Sequence, residues 1–133
     1  MQIDANKDVI RRWIAFANGG FAGAFDEFIA FDYVGHFGGA DMDRQELERL
    51  EREFAVAFPD AQYSIEDILA EGDRVALRVT TRGTHRGTYV GTAPTHRAIE
   101  FTSMVIYRVR DGRIAESWGE MDLLRLMRQL RTP

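Results

Sequence analysis

Asp111-Gly112-Arg113-Ile114-Ala115-Glu116-Ser117-Trp118-Gly119-Glu120-Met121-Asp122, running into Leu123-Leu124-Arg125-Leu126-Met127-Arg128-Gln129-Leu130, is the stretch on which the fold turns. Asp-Gly favours a two-residue type I′ hairpin, because both central positions of that turn need φ > 0. Before it, Arg97 to Arg110 is the longest strand pattern of the chain. Ile99, Phe101, Val105, Tyr107 and Val109 fall on one side of that strand and Met104 and Ile106 on the other, so both faces are expected to be partly covered. After the turn a shorter strand sets Glu116, Trp118 and Glu120 on a common face. Asp122 stands where this strand gives way to a helical pattern, a place from which a carboxylate could face a pocket.

Upstream, Arg74 to Arg82 alternates Val75, Leu77 and Val79 with Ala76, Arg78, Thr80 and Arg82, a period of two. The turn Glu71-Gly72-Asp73 joins it to a strand over Gln62 to Ala70. Between residues 83 and 96 the chain is too rich in glycine for regular strand throughout. The first half reads differently. Val9, Ile10, Trp13, Ile14, Phe16 and Ala17 recur at helical spacing over Asn6 to Asn18, and Gly19-Gly20 supplies a stop. A shorter helix is expected over Phe21 to Ile29 and a short strand over Phe31 to Phe37, with Gly35 marking a bulge or a close approach. Asp43-Arg44-Gln45-Glu46 resembles a capping box. The helix it opens carries Leu47, Leu50, Phe54 and Ala57 or Phe58 on one stripe and Glu48 and Arg52 on the other side. Helices first, then consecutive antiparallel strands, predict an α+β domain: helices packed on the concave face of a cone-shaped, curved antiparallel sheet, with an apolar cavity between them.

The 133 residues suit one domain, 1–133, with 45% hydrophobic and 29% charged residues, and no repeat or linker divides them. A net charge of -4 gives no electrostatic reason to bind nucleic acid or an anionic membrane. Without cysteine there is no disulfide, thiol nucleophile or thiolate metal site. No signal-peptide pattern and no apolar run of membrane-spanning length are present, so a cytoplasmic location is the expectation.

Several stretches resemble one family. Phe58-Pro59-Asp60, Ile65-Glu66-Asp67-Ile68-Leu69-Ala70-Glu71-Gly72-Asp73-Arg74-Val75-Ala76, Gly83-Thr84-His85-Arg86-Gly87 with Pro94-Thr95, and Asp111-Gly112-Arg113-Ile114 with Glu116, Trp118 and Asp122 are similar to the SnoaL-like polyketide cyclases of the nuclear-transport-factor-two-like superfamily. The resemblance covers nearly the whole chain, in the family's order and spacing. It implies a cone-shaped α+β fold and an enzyme that closes an aromatic polyketide ring by intramolecular aldol condensation, without metal or cofactor. It also implies a homodimer paired through the outer face of the sheet, and gives Asp122 the place of the family's acid/base aspartate. Where the family commonly has Pro-Pro-Thr-Gly, this chain has Ala93-Pro94-Thr95-His96, a departure confined to a loop.

Each candidate has a plainer reading. Asp122 at a helix start can simply cap backbone N–H groups, which lowers a carboxyl pKa where a general base profits from a raised one. His85, between Gly83 and Gly87, could donate to an enolate or alkoxide oxygen, or could be a loop histidine satisfied by a carbonyl. His36 could reach a cavity mouth and assist it, or lie on the surface, and His96 is expected to face solvent. The three histidines have no metal-ligand spacing, so no metal is expected. Trp118 could wall the cavity or form a dimer contact. Arg78 could bind a substrate carboxylate or carbonyl, or form an exposed ion pair. Trp13, Phe16, Phe54, Phe58, Met104 and Tyr107 are expected to line the interior as core or cavity wall.

The expected partner is thus a small hydrophobic carbonyl substrate, with no cofactor, nucleic acid or membrane. The alternatives are a ketosteroid-type isomerase, an epoxide hydrolase with an Asp-Arg-Asp set, or a non-catalytic dimeric ligand-binding protein. Arg78 on the outer sheet face would remove the second. A filled or very small interior, with no polar groups converging on Asp122, would mark the last.

Overall fold

The computed structural model describes residues 2–131. Three helices, α1 (Gln2–Asn18), α2 (Arg44–Ala57) and α3 (Leu123–Arg131), pack with six strands: β1 (Ile29–Phe37), β2 (Ala40–Met42), β3 (Gln62–Glu71), β4 (Arg74–Thr84), β5 (Ala98–Arg110) and β6 (Arg113–Met121). The sheet is curved and unclosed, in the order β2-β1-β6-β5-β4-β3. From β3 to β6 it is an antiparallel meander, with tight turns joining β3 to β4 and β5 to β6 and the loop 85–97 joining β4 to β5. The Asp111-Gly112 turn has φ of 51° and 73°, the signs a type I′ turn demands. β1 departs from the antiparallel expectation: it lies parallel to β6, because it arrives from the helical half of the chain rather than through a hairpin.

The helix expected over Phe21 to Ile29 is reduced to a single 3-10 turn, Phe25–Glu27, and Ile29 already belongs to β1. Gly23, at φ 137°, interrupts the segment where helical φ would be needed. Phe21, Phe25 and Phe28 are instead gathered by packing around Trp13 and Phe16, with ring centroids between 4.6 and 6.1 Å of one another. α1 starts four residues before the expected Asn6, which lies buried inside the helix and accepts a hydrogen bond from Gln2. At its other end the Asn18 side chain donates to the Tyr63 carbonyl at 3.0 Å and accepts from the Tyr63 N–H at 2.6 Å. An amide thus docks like one more strand residue and fixes α1 on β3.

At α2 the Asp43 carboxylate accepts from the Glu46 N–H at 2.9 Å, the N-cap half of the capping box. Glu48 and Arg52 pair at 3.2 Å on its outer side. The main core lies between α1 and the concave face of β4 and β5, with Ile10, Trp13, Val75, Leu77 and Val109 buried. A second core joins Leu126 and Leu130 of α3 to Ala57, Phe58, Ile99 and Phe101. Between the two, the concave face stays unfilled.

Candidate functional site

Strand alternation decides what this open space contains. Val75, Leu77, Val79 and Thr81 of β4 point inward, as do Phe101, Ser103, Val105 and Tyr107 of β5 and Ile114, Ser117, Gly119 and Met121 of β6. With α1 and α2 they enclose a cavity of about 820 Å³, whose wall is predominantly apolar. That volume is in the range of pockets that bury a drug-sized organic ligand. The interior is neither filled nor small.

Few polar groups reach it. Tyr33 of β1 and Ser117 of β6 share a hydrogen bond of 2.6 Å between their hydroxyls. Gly35 makes this possible, since a Cβ there would overlap the Tyr33 hydroxyl and come within 2.9 Å of Met42. Burial pushes the Tyr33 phenol up to about 12, the Ser117 bond opposing the rise, so it is a neutral donor. Tyr63, Tyr89 and Tyr107 also line the cavity and are also raised, chiefly by burial. Among these hydroxyls lies Glu51 of α2. Its carboxyl has no hydrogen-bond or ion-pair partner among the described residues. Desolvation pushes its pKa up to about 7. The neighbouring cations of α2 are engaged elsewhere: Arg49 with Glu53, and Arg52 with Glu48 and with the carbonyls of Phe21 and Gly23.

Glu51 was not among the residues singled out from the sequence, although a signal existed. The inward stripe of α2 runs 47, 50, 51 and 54, and position 51 is its one acid. An ionisable side chain on an apolar stripe, with its opposite charges spent on other partners, is the mark of such a residue.

The candidates from the sequence do not converge. Asp122 is exposed, follows β6 directly, and accepts from the Arg125 N–H at 3.0 Å at the start of α3; it is absent from the cavity wall. His85 is fully buried behind the wall, stacked on Phe58 at 5.4 Å. The Thr95 N–H donates to its Nδ1 at 3.1 Å, which places the proton of the neutral ring on Nε2. Desolvation lowers its pKa. The backbone that comes close at Gly87 is that of α2: a Cβ there would lie 2.7 Å from the Val56 carbonyl oxygen. His96, at the family's glycine position, has φ 60°.

His36 touches the cavity's edge, but its ring bonds Glu116 and Asp41, each at 2.8 Å, and these two contacts raise its pKa. Trp118 lies on the outer face, between the stacked His36 ring and the Arg74 guanidinium. Arg78 is on the same outer face, held by Asp67 at 2.7 Å, so it brings no Asp-Arg-Asp set to the cavity. Trp13, Phe54 and Tyr107 line the cavity. Phe16 belongs to the aromatic cluster beside it, Phe58 lies behind it, and Met104 is 62% exposed on the outer face. Period-two alternation from inward Val105 forces Met104 outward. Among the described residues no group of three or more His, Asp or Glu is placed to hold a metal ion, and no helix is long and apolar enough to cross a membrane.

The cone with its cavity has close parallels, and residues 7–130 match the SnoaL-like polyketide cyclases. The chain belongs to the SnoaL-like polyketide cyclase family. Its structure is similar to that of IdmH from Streptomyces antibioticus, for which a polyketide cyclase activity has been put forward. The two are 33% identical, with a TM-score of 0.84, over 96% of this chain and 99% of IdmH. AclR from Streptomyces galilaeus, for which a hydroxylase activity has been put forward, is 27% identical with a TM-score of 0.88, over 96% of this chain and 82% of AclR. A SnoaL-like protein from Jannaschia sp. CCS1 shares the fold at 19% identity and a TM-score of 0.89, covering 98% of this chain and 94% of its own. No curated protein matches the chain. Membership places this SnoaL-like chain among enzymes of the cyclase type.

Proposed function

We propose that this SnoaL-like protein catalyses a cofactor-independent intramolecular aldol condensation of a hydrophobic polyketide-type carbonyl compound held in the cavity. The observation that carries the reading is the cavity itself: about 820 Å³, apolar-walled, with the Tyr33–Ser117 hydroxyl pair and the Glu51 carboxyl in its lining. An aldol closure needs a proton acceptor near an acidic C–H, donors for the oxyanion, and room that holds the substrate folded; Glu51, the Tyr33–Ser117 pair and the cavity volume fit those needs. The family resemblance supports the same chemistry.

The resemblance also supports Asp122 as the acid/base group. Its standing rests on sequence position, since its carboxylate is exposed and occupied with α3. The test is turnover. Purified protein is mixed with aromatic polyketide precursors carrying 1,3-dicarbonyl groups, and ring closure is followed by absorbance and mass spectrometry. Closure appears as a product of unchanged mass or one lacking a single water. The reading expects closure by the parent and loss of it when Leu77→Trp fills the cavity. Bound precursor that stays open would overturn it. Asp122→Asn with full turnover would remove Asp122 from the mechanism.

The outer sheet face supports a homodimer. The register sets Leu69, Ala76, Ile106, Trp118 and His36 in one row across five strands, and Leu69 and Ile106 are 67% and 42% exposed. Such a contiguous apolar row on a soluble chain fits an association surface.

A further inference from the structure

We infer that Glu51 is the proton-transferring group of this cavity, taking the role that the family pattern gives to Asp122. The inference rests on the reading of the cavity as the reaction site.

Glu51 lines the apolar cavity that the substrate would occupy, whereas Asp122 is exposed and accepts from an α3 amide. Its charge reaches the phenols of Tyr33 on β1, Tyr63 on β3, Tyr89 in the loop after β4 and Tyr107 on β5. Those hydroxyls, with the rim residues Glu120 and His36, are the titratable groups facing it from the opposite walls, and the His36 ring is already held by Glu116 and Asp41. Among the described residues no cation pairs with the carboxylate, Arg49 and Arg52 being held by Glu53 and Glu48. A carboxyl without a counterion in apolar surroundings is protonated at acid pH and a strengthened base above its pKa, and at about 7 both forms coexist near neutrality.

Proton bookkeeping closes within the site. The Glu51 carboxylate takes the proton from the carbon between two carbonyls, and the C–H electron pair becomes the enolate. The enolate carbon bonds to a second carbonyl carbon of the same molecule, whose π pair moves onto oxygen as an alkoxide. Protonated Glu51 then returns its proton to that oxygen. Tyr33 and Ser117 donate to the oxyanions as they form.

The test uses 5-nitrobenzisoxazole, an apolar probe of carboxylate bases. A base removes its ring C–H proton, that electron pair forms the nitrile, and the N–O bond breaks to release a coloured phenolate. The parent is expected to accelerate the elimination, with a half-maximal rate near pH 7. Glu51→Gln should lose on the order of 100-fold in kcat with little change in KM, Glu51→Asp should retain part, and Glu48→Gln, at the surface pair with Arg52, should match the parent. A Glu51→Gln variant as fast as the parent, or loss of the rate in Asp122→Asn, would overturn the proposal. Should Glu51→Gln fail to fold, a carbon-13 NMR titration of the parent's glutamate carboxyls decides: one midpoint near 7 supports Glu51, and none above the ordinary carboxylate range overturns it. Displacement of the probe by bound polyketide precursors separates the two readings. A probe that never enters the cavity removes the site and Glu51's role with it, whereas tight binding with Glu51-independent elimination removes Glu51 alone.

Discussion

Asp122 and Glu51 are two carboxylates with opposite surroundings, and their substitutions should behave in opposite ways. Asp122 satisfies an amide at the start of α3, so Asp122→Ala should cost about 1 kcal/mol of unfolding free energy by denaturant titration at neutral pH. Glu51 gains nothing from the folded state when charged. Its folded pKa of about 7 lies above the ordinary value of 4.5, so between those limits the native state holds more protons than the unfolded chain. Stability therefore falls as pH rises from 4.5 to 7 and levels off above. Glu51→Gln should remove that slope and stabilise the protein at pH 8 by at most about 3 kcal/mol, measured against the parent across the pH range. His96 is a third case. At φ 60° it carries a side chain where glycine is unstrained, and His96→Gly should raise stability by about 0.5–1 kcal/mol in the same titration.

At the scale of elements, legibility followed the source of the stabilising interaction. The Asp111-Gly112 hairpin, the Asp43 cap and the alternation of β4 were readable because each is settled by neighbouring residues. The segment 21–29 was not, because Phe21, Phe25 and Phe28 are placed by rings of α1 distant in sequence rather than by their own helical spacing. The parallel docking of β1 on β6 escaped for the same reason. Within the site, Asp122 drew attention by its place in a motif, while Glu51 hid among the acids of a charged helix. Only the inward turn of its stripe distinguishes it from Glu48, three residues earlier, which pairs with Arg52 at the surface. Gly87 shows how one contact ties elements together. Gly87→Ala would press a methyl against the α2 backbone at Val56 and should destabilise by about 1–3 kcal/mol, read as a lowered denaturation midpoint.

For the whole molecule, the curved sheet has two faces of different character. The concave one holds the cavity. The convex one carries the row from Leu69 to His36, and with Met104 and Ile106 exposed it is the face to examine for self-association. Ile106→Glu would set a charge in the middle of that row. Sedimentation of the parent as a dimer and of Ile106→Glu as a monomer is the expected result, with the circular dichroism of the two unchanged.

The parallel pairing of β1 with β6 also orders events in time. Tyr33 and Ser117, whose hydroxyls meet inside the cavity, are 84 residues apart in the chain. On the ribosome β1 emerges well before β6, the neighbour it lies parallel to. The cavity floor is therefore completed only after β6 has emerged, and until then the β1 edge that β6 will cover is unpaired, with Phe31 and Phe37 on that strand. Folding limited by so distant a closure is slow compared with that of a helical bundle of equal length. Low temperature or a holding chaperone during synthesis should raise the soluble yield, because each protects β1 through its wait.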